Sequence, residues 1–252
     1  MSAAKKIRWK VRVLVPGLPL QSCSVLLSQG GGRQHIVVDT GFPQHDGLLL
    51  DGLQRAGVEP GEVTGVINTH YHLDHFGGNF LFPQAWVYGS KRDYDWAVSI
   101  YESVSGGETR REVFRNFYPE AGDEEFERMD EARVLQLLKW MWDPATLGSL
   151  DRYRWWEERE LGLPGIRIVP TPGHSPGHLS FEVDGIEGLY LIAGDARPFA
   201  DDGAVGYDMP PHNHALFQSS RQRLDRFEGI IIPGHDDPFS QTREEITVSE
   251  RT

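Results

Sequence analysis

The sequence predicts a mixed α/β (α+β) domain, and three features predict it. Residues 7 to 67, and again residue 163 onward, read as short apolar strands separated by Gly and Pro turns. Residues 92–160 switch to helical composition. Several strands end in a Gly beside a His or an Asp, which gathers ligand-type side chains at strand ends. A chain of 252 residues is long enough for a substantial core. No tandem repeat divides it, so residues 1–252 read as one domain with 92–160 as a helical insertion.

Val11 to Val15 alternates as a strand, Pro16-Gly17 turns, and Ser22 to Leu27 is a second apolar run. Gly30 to Gly32 forms a tight loop before the strand His35 to Val38, which ends at Asp39. Asp39 either caps the next segment or holds a ligand imidazole from behind. Leu48, Leu49, Leu50 and Leu53 fit an amphipathic helix between Gly47 and Gly57, and Val63 to Ile67 is the next strand. Five of the seven Trp lie in the insertion: Trp96, Trp140, Trp142, Trp155 and Trp156. Such aromatics suit a packed core, a lid over a site, or a dimer surface, and Trp140, Trp142, Trp155 and Trp156 are candidates for an apolar substrate wall. After the insertion come strands ending near Pro170, Asp195 and Pro233.

With 25 basic against 37 acidic residues the net charge is −12, which argues against a general phosphate-backbone binder, so no nucleic-acid partner is expected. The basic start, Lys5 to Lys10, is not followed by a long apolar stretch, and no run approaches membrane-spanning length. The expectation is a cytoplasmic protein with no membrane partner. Cys23 is the only cysteine, so no intrachain disulfide forms, and its apolar neighbours make it a packing residue.

Thr69-His70-Tyr71-His72-Leu73-Asp74-His75 places four ligand-type side chains in six residues, directly after an apolar strand. Imidazole with carboxylate suits a divalent cation such as zinc. In extended chain, His70 and His72 point to one side and converge on one ion. Asp74 and His75 come next at a changed phase and face a second. Three later strand ends add His174, Asp195 and His235. Together these are enough ligands for two ions.

The pattern resembles the metallo-β-lactamase-fold hydrolase superfamily. Thr-His-Tyr-His-Leu-Asp-His at 69–75 matches its His-x-His-x-Asp-His signature. Asp39, Thr-Pro-Gly-His-Ser-Pro-Gly-His at 171–178, Gly-Asp at 194–195 and Gly-His-Asp at 234–236 match its other motifs in order. The resemblance implies a four-layer αββα sandwich with the helical insertion outside its shared core. It implies that His70, His72 and His174 hold one Zn2+ and that Asp74, His75 and His235 hold the other, with Asp195 bridging. Fe or Mn are the other occupants to consider. Asp39 and His178 would stand behind the ligands. Asp74 would be the catalytic residue, orienting a hydroxide shared by two ions and then passing a proton. Metal coordination can lower the pKa of water from 15.7 to about 7.

Within that superfamily the motifs look closest to the N-acyl-homoserine lactonases, which implies a small-molecule lactone or related ester as substrate and a homodimer. That branch carries a Tyr three residues after the bridging Asp, where this chain has Pro198. Tyr207, His212 and His214 are the candidates to contact substrate in its place. The alternatives are a thioester hydrolase, a β-lactamase-like amide hydrolase, a mono-iron persulfide dioxygenase-like oxidoreductase and a non-enzymatic zinc-stabilised binding module.

Overall fold

The structure is a computed structural model that describes residues 7–18, 21–31, 34–119, 150–157, 162–201 and 210–242. Its first sheet runs in the order β1 (Trp9–Val15), β2 (Ser24–Gln29), β3 (His35–Val38), β4 (Gly65–Ile67), β5 (Trp86–Gly89), β6 (Tyr153–Trp155). The first two pairings are antiparallel and the remaining three parallel. The second sheet holds β7 (Ile166–Pro170), β8 (Leu179–Asp184), β9 (Leu189–Gly194), β10 (Gly229–Pro233) and β11 (Phe239–Gln241) in reverse spatial order.

Strand alternation builds the layers, because successive side chains face opposite sides of a sheet. Val25, Leu27, Ile36, Val38 and Ile67 of the first sheet meet Leu179, Phe181, Val183, Ile192 and Ile232 of the second in one buried cluster. Their neighbours Leu26, Val37 and Val66 point the other way, onto Leu49 and Leu53 of α1 (Asp46–Ala56) and Ala97 and Ile100 of α3 (Lys91–Ser105). Behind the second sheet, Leu191, Ala193 and Ile231 pack on Leu224 of α5 (His214–Leu224). The result is helix, sheet, sheet, helix, with both sheets buried on two faces. Cys23 belongs to the inter-sheet cluster, where burial pushes its thiol up to about 12.

Two details differ from the expectations. In α1, Leu49 and Leu53 are buried while Leu48 and Leu50 are exposed, so the Leu run is split between core and solvent. Helix does not extend through 92–160. Residues 92–119 contain most of α3 and all of α4 (Arg110–Phe117), but Tyr153–Trp155 form β6, the parallel edge strand beside β5. Trp155 packs there against Tyr94 and Tyr153, and Trp156 packs against the inter-sheet cluster. Trp140 and Trp142 lie outside the described residues. Among the described residues no helix is long and apolar enough to cross a membrane.

Candidate metal centre

The ligand-type side chains collect where both sheets end. β4 delivers Asn68 to His72, and the short helix α2 (Leu73–Phe76) turns Asp74 and His75 back toward the same cleft. The loop after β7 brings His174, β9 ends at Gly194 before Asp195, and β10 ends at Pro233 before His235. A Cβ on Gly234 would stand 2.0 Å from Asp195 Oδ1, so only glycine lets the two loops meet there.

Two groups result: His70, His72, His174 and Asp195, and then Asp74, His75 and His235. In the first, His72 Nδ1 lies 3.0 Å from His70 Nε2 and 2.9 Å from His174 Nε2. In the second, the Nε2 atoms of His75 and His235 are 3.4 Å apart, and Asp74 Oδ2 lies 3.4 Å from His235 Nε2. The Asp195 carboxylate stands between them. Its Oδ2 is 3.3 Å from His174 Nε2, and its Oδ1 is 3.3 Å from both His75 Nε2 and His235 Nε2.

Buried ring nitrogens turned on one another and on a carboxylate fit a divalent cation, since lone pairs crowded out of water need a positive partner. Imidazole and carboxylate together are the donor set of the borderline divalent metals. The electrostatics divide the two groups. Burial, followed by the charge of neighbouring imidazoles, pushes His70 well below the ordinary imidazole range. Burial likewise pushes His174 well below that range and His72 down to about 4. That setting favours the neutral ring, the form that binds metal. Burial also acts to lower His75 and His235, but Asp195 and the other nearby carboxylates outweigh it. They raise His75 well above its usual value and His235 to about 8. Burial alone would raise the Asp195 carboxyl, yet His235, His75 and His174 hold it well below the usual carboxylate range.

Supporting groups orient the rings. Asp39 takes φ 53°, a left-handed conformation that Asp tolerates better than most residues. Its Oδ1 accepts from Thr69 N and its Oδ2 from Thr69 Oγ1, and Oδ2 also lies 2.8 Å from His75 Nδ1. The carboxylate therefore serves the site and not the start of the next segment. His178 has both nitrogens engaged. Its Nε2 accepts from Asp195 N and its Nδ1 lies 2.8 Å from Thr171 Oγ1, while burial pushes the ring down to about 3. His178 thus supports the loop that carries Asp195.

The sequence does not single out Tyr118, yet its hydroxyl lies 3.1 Å from His72 Nε2, on the ring edge opposite the cluster. Trp96 packs on both rings. A tyrosine at a helix exit carries no local signal for this role. Of the three residues considered for substrate contact, Tyr207 lies outside the described residues. His212 packs on Trp96, with its N donating to His174 O and its Nδ1 2.6 Å from Phe117 O. His214 is exposed at the first residue of α5. Pro198 contributes its carbonyl, which accepts from His235 N.

Comparison with known proteins agrees with this geometry. The family model of the metallo-beta-lactamase superfamily matches residues 17–235. Metallo-beta-lactamase domain-containing protein 1 of Rattus norvegicus is 29% identical over 220 residues, 86% of this chain and 68% of that protein. An N-acyl homoserine lactonase of Bacillus thuringiensis is 25% identical over 230 residues, 80% of this chain and 76% of that one. Among solved structures, AidC, a dizinc quorum-quenching lactonase in complex with a product, superposes with TM-score 0.62 at 18% identity, covering 88% of this chain and 76% of that one, a likeness of fold. With its two packed sheets and its cluster of His and Asp where they end, the chain belongs to the metallo-beta-lactamase superfamily, whose fold and ligand cluster imply a divalent metal.

Proposed function

We propose that this protein is a dinuclear zinc hydrolase that opens a lactone or a related ester. One observation carries the reading: the two oxygens of Asp195 are divided between the two ligand groups. A carboxylate so divided suits a bridge between two ions, with His70, His72 and His174 on one side and Asp74, His75 and His235 on the other. Bound there, two zinc ions would supply Lewis acidity for the substrate carbonyl and a water acidic enough to attack it near neutral pH.

The chain's own residues do the remaining work. Asp74 is the ligand-type side chain most open to solvent, at 15% exposure against 0–3% for its neighbours in the site. Its Oδ2 can accept the proton of the attacking water and return it to the leaving oxygen. Asp39 and Tyr118 hold His75 and His72 in the orientation that faces the cluster. The lactone preference is supported by the Bacillus thuringiensis relative, which is named an N-acyl homoserine lactonase. Pro198 stands where that branch has a tyrosine, so recognition of the lactone carbonyl falls to other groups. His212, beside His174, is the nearest candidate among the described residues.

Elemental analysis of freshly purified protein, paired with a pH-drop assay over lactones, thioesters and β-lactams, tests the proposal. The expected result is about two zincs per chain and lactone turnover that chelation abolishes. One iron per chain and no hydrolysis would overturn it.

A further inference from the structure

We infer that Asp93, a residue of α3 that touches no ligand ring, is a positioning residue that locks together the two loops supplying the His70, His72 and His174 group. The inference rests on the metal-centre reading and is independent of the substrate. Asp93 is fully buried. Its Oδ2 accepts from Tyr71 N at 2.8 Å, and that amide lies between His70 and His72. Its Oδ1 accepts from Gly177 N at 2.8 Å, on the loop between His174 and His178. One carboxylate therefore fixes the spacing of two loops whose rings meet at 2.9 Å, His72 Nδ1 to His174 Nε2.

Three independent features fit this role. Asp93 is the third residue of α3, where its N donates to the Ser90 N-cap. An acid at that position of a capping box usually turns back to the N-cap amide, whereas this side chain reaches outward to both loops. Its donors are two main-chain N–H groups, and they and the positive end of α3 favour the charge against burial, which pushes the carboxyl up. Gly177 is pressed against the same turn: a Cβ there would lie 2.7 Å from Asp93 N and 2.9 Å from Asp93 Cβ. The close approach thus needs both partners.

A carboxylate is needed because two N–H donors require two acceptor oxygens. Asparagine offers one oxygen and turns an NH2 on the other donor. Asp93→Asn is therefore expected to loosen one loop from the other. Backgrounds that leave one ligand group intact read the effect separately: His235→Ala keeps the first group and His174→Ala keeps the second. Zinc affinity of the folded protein is measured by competition with a chromophoric chelator. Asp93→Asn is expected to weaken zinc about 10–100-fold in the His235→Ala background and less than about threefold in the His174→Ala background. Gly177→Ala should reproduce that selectivity and serves where Asp93→Asn does not fold. Equal affinity changes in the two backgrounds, or a lower Tm of the metal-free protein with affinity unchanged in both, would overturn the inference while leaving the metal centre standing. Failure of the unsubstituted protein to bind zinc at all would remove the metal-centre reading and this inference with it.

Discussion

The two ligand groups use the same chemistry in different surroundings. His70, His72 and His174 are buried in a setting that lowers their basicity, and loops from both sheets hold them. His75 and His235 sit among carboxylates that raise their basicity, beside Asp74, which is partly open to solvent. Burial favours neutral rings, the form that binds a metal ion. A partly open carboxylate favours exchange of protons with substrate. In the proposed enzyme the first group therefore anchors, and the second works at the substrate-facing side. Asp195 turns one carboxylate oxygen toward each group.

The sharpest break in that comparison is Asp195→Asn. The amide keeps one oxygen and turns an NH2 toward the rings facing the other. Metal content is expected to fall from about two to about one or fewer per chain, with turnover below detection, as read by elemental analysis and lactone assay. Two metals retained at full activity would refute the bridging role. Asp74→Asn comes next. It removes the proton acceptor on the open side while leaving the buried group untouched, so kcat should fall about 10²–10⁴-fold. The Tm of the metal-free protein should stay unchanged, because the side chain supports no core packing. An equal fall in Tm would make Asp74 a structural residue.

The sequence discloses the fold and the site unevenly, for physical reasons. The His-x-His-x-Asp-His stretch is legible because four ligand-type side chains within six residues have no packing use in common. The sheets are legible because alternation survives in single strands such as Ser24–Gln29, where Val25 and Leu27 face one core and Leu26 the other. β6 is not, since three residues in a Trp-rich stretch carry no period, and parallel pairing with β5 depends on chain 64 or more residues away. Asp93 and Tyr118 are hidden for the same reason. Each touches the site across a gap in sequence, 22 residues to Tyr71 and 46 to His72. Locally, each is only an acid in a first helical turn or an aromatic after a helix.

Asp39 and Tyr118 form a matched pair for sharpening the contrast, because each orients one ring from behind, Asp39 in the second group and Tyr118 in the first. Asp39→Asn should cost more, because the same carboxylate also accepts from both the amide and the hydroxyl of Thr69. About 10–100-fold weaker zinc in the second group is expected. Tyr118→Phe removes a single hydroxyl from His72 Nε2 and keeps the ring packed on Trp96. Its effect should lie near the low end, about 10-fold in the first group alone, with the metal-free Tm little changed because no volume is lost. The discriminating measurement is cobalt substitution. A shift of the d–d absorption in Tyr118→Phe, together with weaker binding, means that the hydroxyl sets the orientation of the His72 ring. An unshifted spectrum with wild-type affinity means that packing against Trp96 alone suffices, and that the first group needs no partner of the kind Asp39 gives the second.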